Sequence, residues 1–165
     1  LLVQQQDFLL STKDVLPEEI TKSTPKISKG EQYKGLPYLV LDYPRLFEGQ
    51  DILTVRTLFW WGNFFSTTLH LAGNYKKKTT QHIIDAISLL KEAGFWFCVN
   101  SDSWEHDFEP GNYVLMSEIS EPDLLHLIRE RTFIKIAQKV PLLQWDEAGK
   151  ILLQQFKTVM NVLRE

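Results

Sequence analysis

Apolar and polar positions along the chain follow two periods, and the places where the period changes mark the predicted elements. From Leu36, "LPYLVLDY" reads as a strand stopped by Pro44, and "DILTVRTLFWW" as a second strand after the loop "PRLFEGQ". "FFSTTLHLAG" follows as a third, with Gly62 and Asn63 supplying the turn chemistry. Ile83, Ile84, Ile87, Leu90 and Ala93 then recur at helical spacing, with Thr79 or Thr80 as the predicted cap and Gly94 where a C′ glycine belongs. "FWFCVN" and "NYVLMSEI" are two more strands around the polar loop "SDSWEHDFEPG". Ser120, Pro122 and Asp123 announce a helix to about Glu130, and "TFIKIAQKV" alternates as a sixth strand up to Pro141. The last helix begins near Asp146 and carries the stripe Ile151, Leu152, Phe156, Val159, Met160 and Leu163.

Residues 1–35 have a different texture. Pro17, Pro25 and Gly30 break any long element, which predicts an arm with short helices at Val3 to Leu10 and Pro17 to Lys22 and an extended run "KSTPKISKGEQYKG". Residues 36–165 then form one domain. The order β-β-β-α-β-β-α-β-α predicts an α+β fold: a five- to six-stranded, mostly antiparallel sheet with helices packed chiefly on one face and an aromatic-lined concavity on the other.

Composition narrows the partners. A chain of 165 residues, 44% hydrophobic and 24% charged, matches one globular domain, and its 10 Phe, 5 Tyr and 5 Trp exceed what a core of this size requires. The net charge of −3, with Lys76 to Lys78 as the one basic run, argues against nucleic acid. No apolar run reaches the roughly 20 residues that span a bilayer, and "LLVQQQDFLL" lacks the basic and continuously apolar regions of a signal peptide, so no membrane partner is expected. The lone Cys98 among apolar neighbours excludes an internal disulfide and fits a reducing compartment, which makes the cytoplasm the expected location.

Candidate chemistry centres on "RTLFWWGNFFSTTLHL". A strict two-residue turn at Gly62 and Asn63 mixes polar and apolar residues on both faces of the hairpin. A three-residue loop pairing Trp61 with Phe65 sorts them: Leu53, Val55, Phe59, Phe65, Leu69 and Leu71 share one side, and Thr54, Arg56, Trp60, Ser66, Thr68 and His70 the other. That register sets Arg56 opposite His70, with Asp42 on the neighbouring strand. The bland reading is a solvated sheet face. The functional reading is a shallow pocket of Asp42, Arg56, Trp60, Ser66, Thr68 and His70, in which Arg56 anchors an anion, His70 acts as donor or base and Trp60 is a stacking wall.

A second cluster, "NSDSWEHDFE", places Asp102, His106 and Asp107 close together, with Glu105 and Glu109 nearby, around Trp104. These are possible ligands for a hard or borderline metal, although neither HExxH nor a calcium-loop spacing is present, and a solvated loop with Trp104 folded back on the sheet is the simpler expectation. The sequence contains no nucleophile elbow, dinucleotide fingerprint, phosphate loop or CxxC pair, which disfavours an enzyme of known chemistry and leaves any cofactor unknown.

In order of elements, "YKGLPYLVLDY", "FFSTTLHLAG", "TTQHIIDAISLLKEAG", "FWFCVNSDSWEHD" and "SEPDLLHLIRERTFIKIAQKVPL" resemble the uncharacterised bacterial YktB-like family over about residues 30 to 163. The segment "DILTVRTLFWWGN" has no counterpart in it. The resemblance implies the fold and no particular activity. The expected function is therefore a non-catalytic domain binding a small anionic or aromatic ligand or another protein; the alternative is an enzyme, metal-assisted through His106 and Asp107 with Asp102, or using His70 as a general base. Leftover apolar surface also makes a homodimer an expected form.

Overall fold

In the computed structural model, which describes residues 1–164, helices α1 (Leu2–Ser11) and α2 (Glu18–Thr21) precede a four-strand meander. Its strands are β1 (Lys26–Tyr33), β2 (Leu36–Glu48), β3 (Asp51–Trp60) and β4 (Phe64–Ala72). Two helices, α3 (Gly73–Asp85) and α4 (Ile87–Glu92), lead to the short strands β5 (Trp96–Cys98) and β6 (Tyr113–Leu115). Helix α5 (Glu121–Glu130), strand β7 (Phe133–Pro141) and helix α6 (Ala148–Val162) complete a single α+β domain. The seven strands lie in the order β1-β2-β3-β4-β7-β5-β6 with every pair antiparallel. No helix among the described residues is long and apolar enough to cross a membrane.

The sheet is larger than the sequence predicts because the expected arm ends in a strand. Lys34 and Gly35, at φ of 50° and 79°, make a two-residue turn between Tyr33 and Leu36, the paired left-handed conformation that hairpins favour. Strand β2 runs past Pro44 instead of stopping there. Its register shifts between Asp42 and Arg45, and a proline in such a bulge interrupts no regular ladder bond. Helix α3 starts at Gly73, well before the predicted caps. The Thr79 and Thr80 hydroxyls donate back to the carbonyls of Tyr75 and Lys76, each at 2.7 Å, as threonines inside a helix do. Gly73 is needed at that start, since its φ is 58° and a Cβ would lie 2.0 Å from Asp51 Oδ1.

The two faces of the sheet carry different chemistry. One buries Leu53, Val55, Leu69, Leu71, Ile134 and Ile136 against Ile83, Leu124, Ile128, Phe156 and Val159 of the helices. Each such side chain stabilises the fold by roughly 1.5–3 kcal/mol on burial. The other face carries Asp42, Thr54, Arg56, Ser66, Thr68, His70 and Lys135. The segment 99–112 between β5 and β6 folds over it.

Candidate functional site

The β2–β3 register sets Asp42 directly opposite Arg56. The guanidinium donates from Nε to Asp42 Oδ1 at 2.7 Å and from Nη2 to Oδ2 at 2.8 Å, a bidentate pair whose side chains are 8% and 16% exposed for Asp42 and Arg56. The third nitrogen, Nη1, lies 3.3 Å from His106 Nε2. A guanidinium only donates, so Nε2 accepts and the imidazole is neutral with its proton on Nδ1. Burial, followed by the Lys135 and Arg56 charges, lowers the His106 pKa to about 2, in accord with that assignment.

The covering segment is held by groups that satisfy its backbone. Tyr33 Oη accepts from the N–H of His106 at 2.9 Å and of Asp107 at 3.1 Å, and its hydroxyl lies 3.0 Å from Glu105 Oε2. Asp107, 2% exposed, pairs with Lys34 and accepts from Asn112 Nδ2 and the Glu109 N–H. Beneath the segment, the Lys135 ammonium is 1% exposed and donates to the carbonyls of Ser103 at 2.7 Å and Glu105 at 2.6 Å. Burial lowers its pKa to about 8. Arg131 donates to the carbonyls of Val99 and Asn100 at the segment's start.

Trp104, 50% exposed, stands between two hollows and lines both. The first, of about 280 Å³, has Tyr33, Tyr38 and Trp104 as walls and Val40 and Leu58 as floor, with Ser28, Asp42, Arg56 and His106 at its polar end. The Tyr33 and Tyr38 rings meet edge to face at 6.3 Å, and the Arg56 guanidinium sits 5.8 Å from the Trp104 ring centre. Tyr38 lies across Gly30 of β1, where a Cβ would come within 2.3 Å of the ring. The second hollow, of about 560 Å³, shares Trp104 and has His70 in its lining.

The sequence-predicted residues divide accordingly. Arg56, Thr54, Trp60, Ser66, Thr68 and His70 do share one face, but Trp60 pairs with Phe64, so the three-residue loop is Trp61 to Asn63 and Arg56 faces Thr68 while His70 faces Thr54. Asp42 and Arg56 line the first hollow and His70 the second. Trp60 is 7% exposed beneath Tyr33, at a ring distance of 5.0 Å, and lines neither hollow; Trp104 provides the exposed indole wall. Ser66 and Thr68 are buried and line neither. The Arg56 charge is balanced on the spot by Asp42, which leaves the first hollow without a free cation.

The possible metal ligands Asp102, His106 and Asp107 do not converge, and among the described residues no three His, Cys, Asp or Glu side chains do so. His106 turns to Arg56, Asp107 to Lys34 and Asn112, and Asp102 accepts from the Trp104 N–H. Sequence reasoning missed Tyr33, Tyr38 and Lys135. Lys135 had a signal: it sits at an alternating position between Ile134 and Ile136 and lies opposite His70 on the sheet.

The exposed aromatics collect elsewhere. Trp61 and Trp145, 55% and 57% exposed, flank Phe59 and Phe65, whose rings stack at 4.6 Å on the helix-bearing face. Comparison with family models and with curated proteins finds no match, so the likeness to the YktB-like family rests on the order of elements alone.

Proposed function

We propose that this chain is a non-catalytic binding domain whose first hollow takes one flat, uncharged ring bearing both a hydrogen-bond acceptor and a donor. The observation that carries this reading is the Asp42–Arg56–His106 array closing a cleft with three aromatic walls. Carboxylate and guanidinium cancel and the imidazole is neutral, so the polar end offers directional bonds without net charge. A volume of about 280 Å³ suits a single ring system rather than a nucleotide cofactor.

Catalysis by His106 with Asp107, or by His70, has weaker support. Imidazoles with pKa values of about 2 and 3 take up a proton poorly near neutrality, where a general base works best when its pKa lies near the working pH. The lone buried Cys98 supports a cytoplasmic location.

The test is a fluorescence and calorimetric titration with nicotinamide, adenine and a set of benzoates. Saturable binding of the neutral heteroaromatics in preference to benzoate is expected. Ser28→Phe, which fills the hollow from edge strand β1 without touching the ion pair, abolishes it. A flat response from every ring, or an unchanged affinity in Ser28→Phe, rejects the reading.

A second reading rests on the aromatic patch of Phe59, Trp61, Phe65 and Trp145. Contiguous exposed apolar surface of this kind favours association, and a second copy of the chain is the proposed occupant. Sedimentation at two concentrations tests it: a concentration-dependent dimer that Trp61→Ser dissociates supports the reading, and a monomer at both concentrations rejects it.

A further inference from the structure

The second hollow differs from the first in its charge. Of the side chains around it, Lys76, Lys77 and Arg131 are cationic and none is acidic, in a protein whose net charge is −3. Lys76 uses one N–H to reach the Arg129 carbonyl at 2.9 Å, and Arg131 uses one from each terminal nitrogen on segment 99–112, so both keep donors free. Lys77 is exposed at the rim. At the base lies His70, 4% exposed, between Trp104 and Phe133 at ring distances of 5.6 and 5.9 Å. Its Nε2 is buried without any hydrogen-bond partner. Leaving such a buried polar atom unpaired is unfavourable to the fold.

The N-terminus of α3 is not what would attract a ligand here. Asp51 already accepts from the Asn74 N–H at 2.8 Å and from its side-chain amide at 2.9 Å, which satisfies that end of the helix. The positive charge comes from side chains: Lys135 lies beside His70 on the same sheet face, while the carboxylates close to Lys77 and Lys76, Asp51 and Glu130, lie outside the lining of the hollow.

We infer that this hollow is a binding site for a small oxyanion, a phosphate or a carboxylate group, held by Lys76, Lys77 and Arg131 with His70 at its base. The site shares only Trp104 with the ring-binding hollow and is lined by cations where the first is balanced. Three cations around one unpartnered imidazole match an anion with several acceptor oxygens, and the rims formed by Trp104 and Phe133 allow the anion to carry a flat apolar substituent.

The test uses the full chain in low-salt buffer, titrated with inorganic phosphate and, separately, with acetate, while the His70 ring resonances are followed by NMR. A saturable shift of the His70 signals is expected with at least one of the two, and the stronger binder identifies the preferred oxyanion. Lys77→Glu, at an exposed position that leaves folding intact, and Lys76→Gln weaken that binding about tenfold each, the effect of one charge-assisted hydrogen bond at about 1.4 kcal/mol. Absence of saturation by about 10 mM with both anions overturns the inference. So does wild-type affinity in Lys77→Glu, which would move the anion elsewhere on the surface.

Discussion

The two faces of the same sheet are covered by different materials, and the difference follows from what each face has to satisfy. Leu53, Val55, Leu69, Leu71, Ile134 and Ile136 need only apolar contact, which helices supply while keeping their own backbone bonded internally. Lys135, Arg56 and Asp42 need partners. A helix has used its carbonyls along its length, whereas the irregular segment 99–112 has free ones: Ser103 and Glu105 accept from Lys135, and Val99 and Asn100 from Arg131. A polar sheet face therefore recruits a loop. Hollows occur on both faces, the one of about 1160 Å³ beside α4 and α6 being apart from the loop, but those under segment 99–112 take in Asp42, Arg56 and His70 of the polar sheet face, with Trp104 of that segment lining both.

Mutations sharpen the contrast. The largest effect is expected on the helix-bearing face, where Phe97, fully buried, anchors β5. Phe97→Ala lowers global stability by about 3–5 kcal/mol in chemical denaturation. Asp42→Ala leaves the Arg56 charge unpaired beneath the loop and costs about 2–3 kcal/mol by the same measurement, since the pair is nearly buried but His106 keeps one contact. Lys135→Met keeps the volume and removes the donors to Ser103 and Glu105, at about 1–2 kcal/mol. Its signature is local: amide exchange accelerates at residues 101–110 well beyond the change at β3 and β4. Equal acceleration everywhere would mean that the loop and the core form one cooperative unit, which contradicts a separately held loop.

The smallest expected effect is on pH dependence. The His70 pKa falls to about 3, through burial first and then the Lys135 and Arg56 charges. The unfolded chain therefore binds the proton that the folded one refuses, and stability is lost as pH falls from about 6.5 toward 3. For His70 the loss between pH 7 and 6 is below about 1 kcal/mol, His106 contributes a like loss through its pKa of about 2, and His70→Gln reduces the slope there by about half. A steeper decline in His70→Gln than in the wild type would contradict this origin.

Much of the architecture was legible in the sequence wherever burial is one-sided. Period-2 alternation located β3, β4 and β7, and the Ser120 cap located α5, where the Asp123 N–H does donate to Ser120 Oγ. Strand β1 was not legible, because "KISKGEQY" is an exposed edge whose lysines and glycine carry no apolar alternation. The start of α3 was hidden for a related reason: Lys76 is buried through its stem while the letters around it look like a loop. At the site, parity along β3 and β4 grouped Arg56 with His70, but a shift of two residues preserves parity while changing partners, so the opposition of Arg56 to His70 was wrong though their shared side was right. The roof was beyond reach of pattern reading, since its placement depends on Tyr33, Lys34 and Lys135, which are distant in sequence from residues 99–112.

The loop-covered face is the one proposed to receive a small molecule. The direct measurement is an NMR titration of the five tryptophan indole N–H signals with the tightest-binding neutral ring. Movement of the Trp104 signal, with Trp61 and Trp145 unmoved, is the predicted result. Movement of Trp61 and Trp145 with Trp104 still would place the ligand on the helix-bearing side and contradict the account.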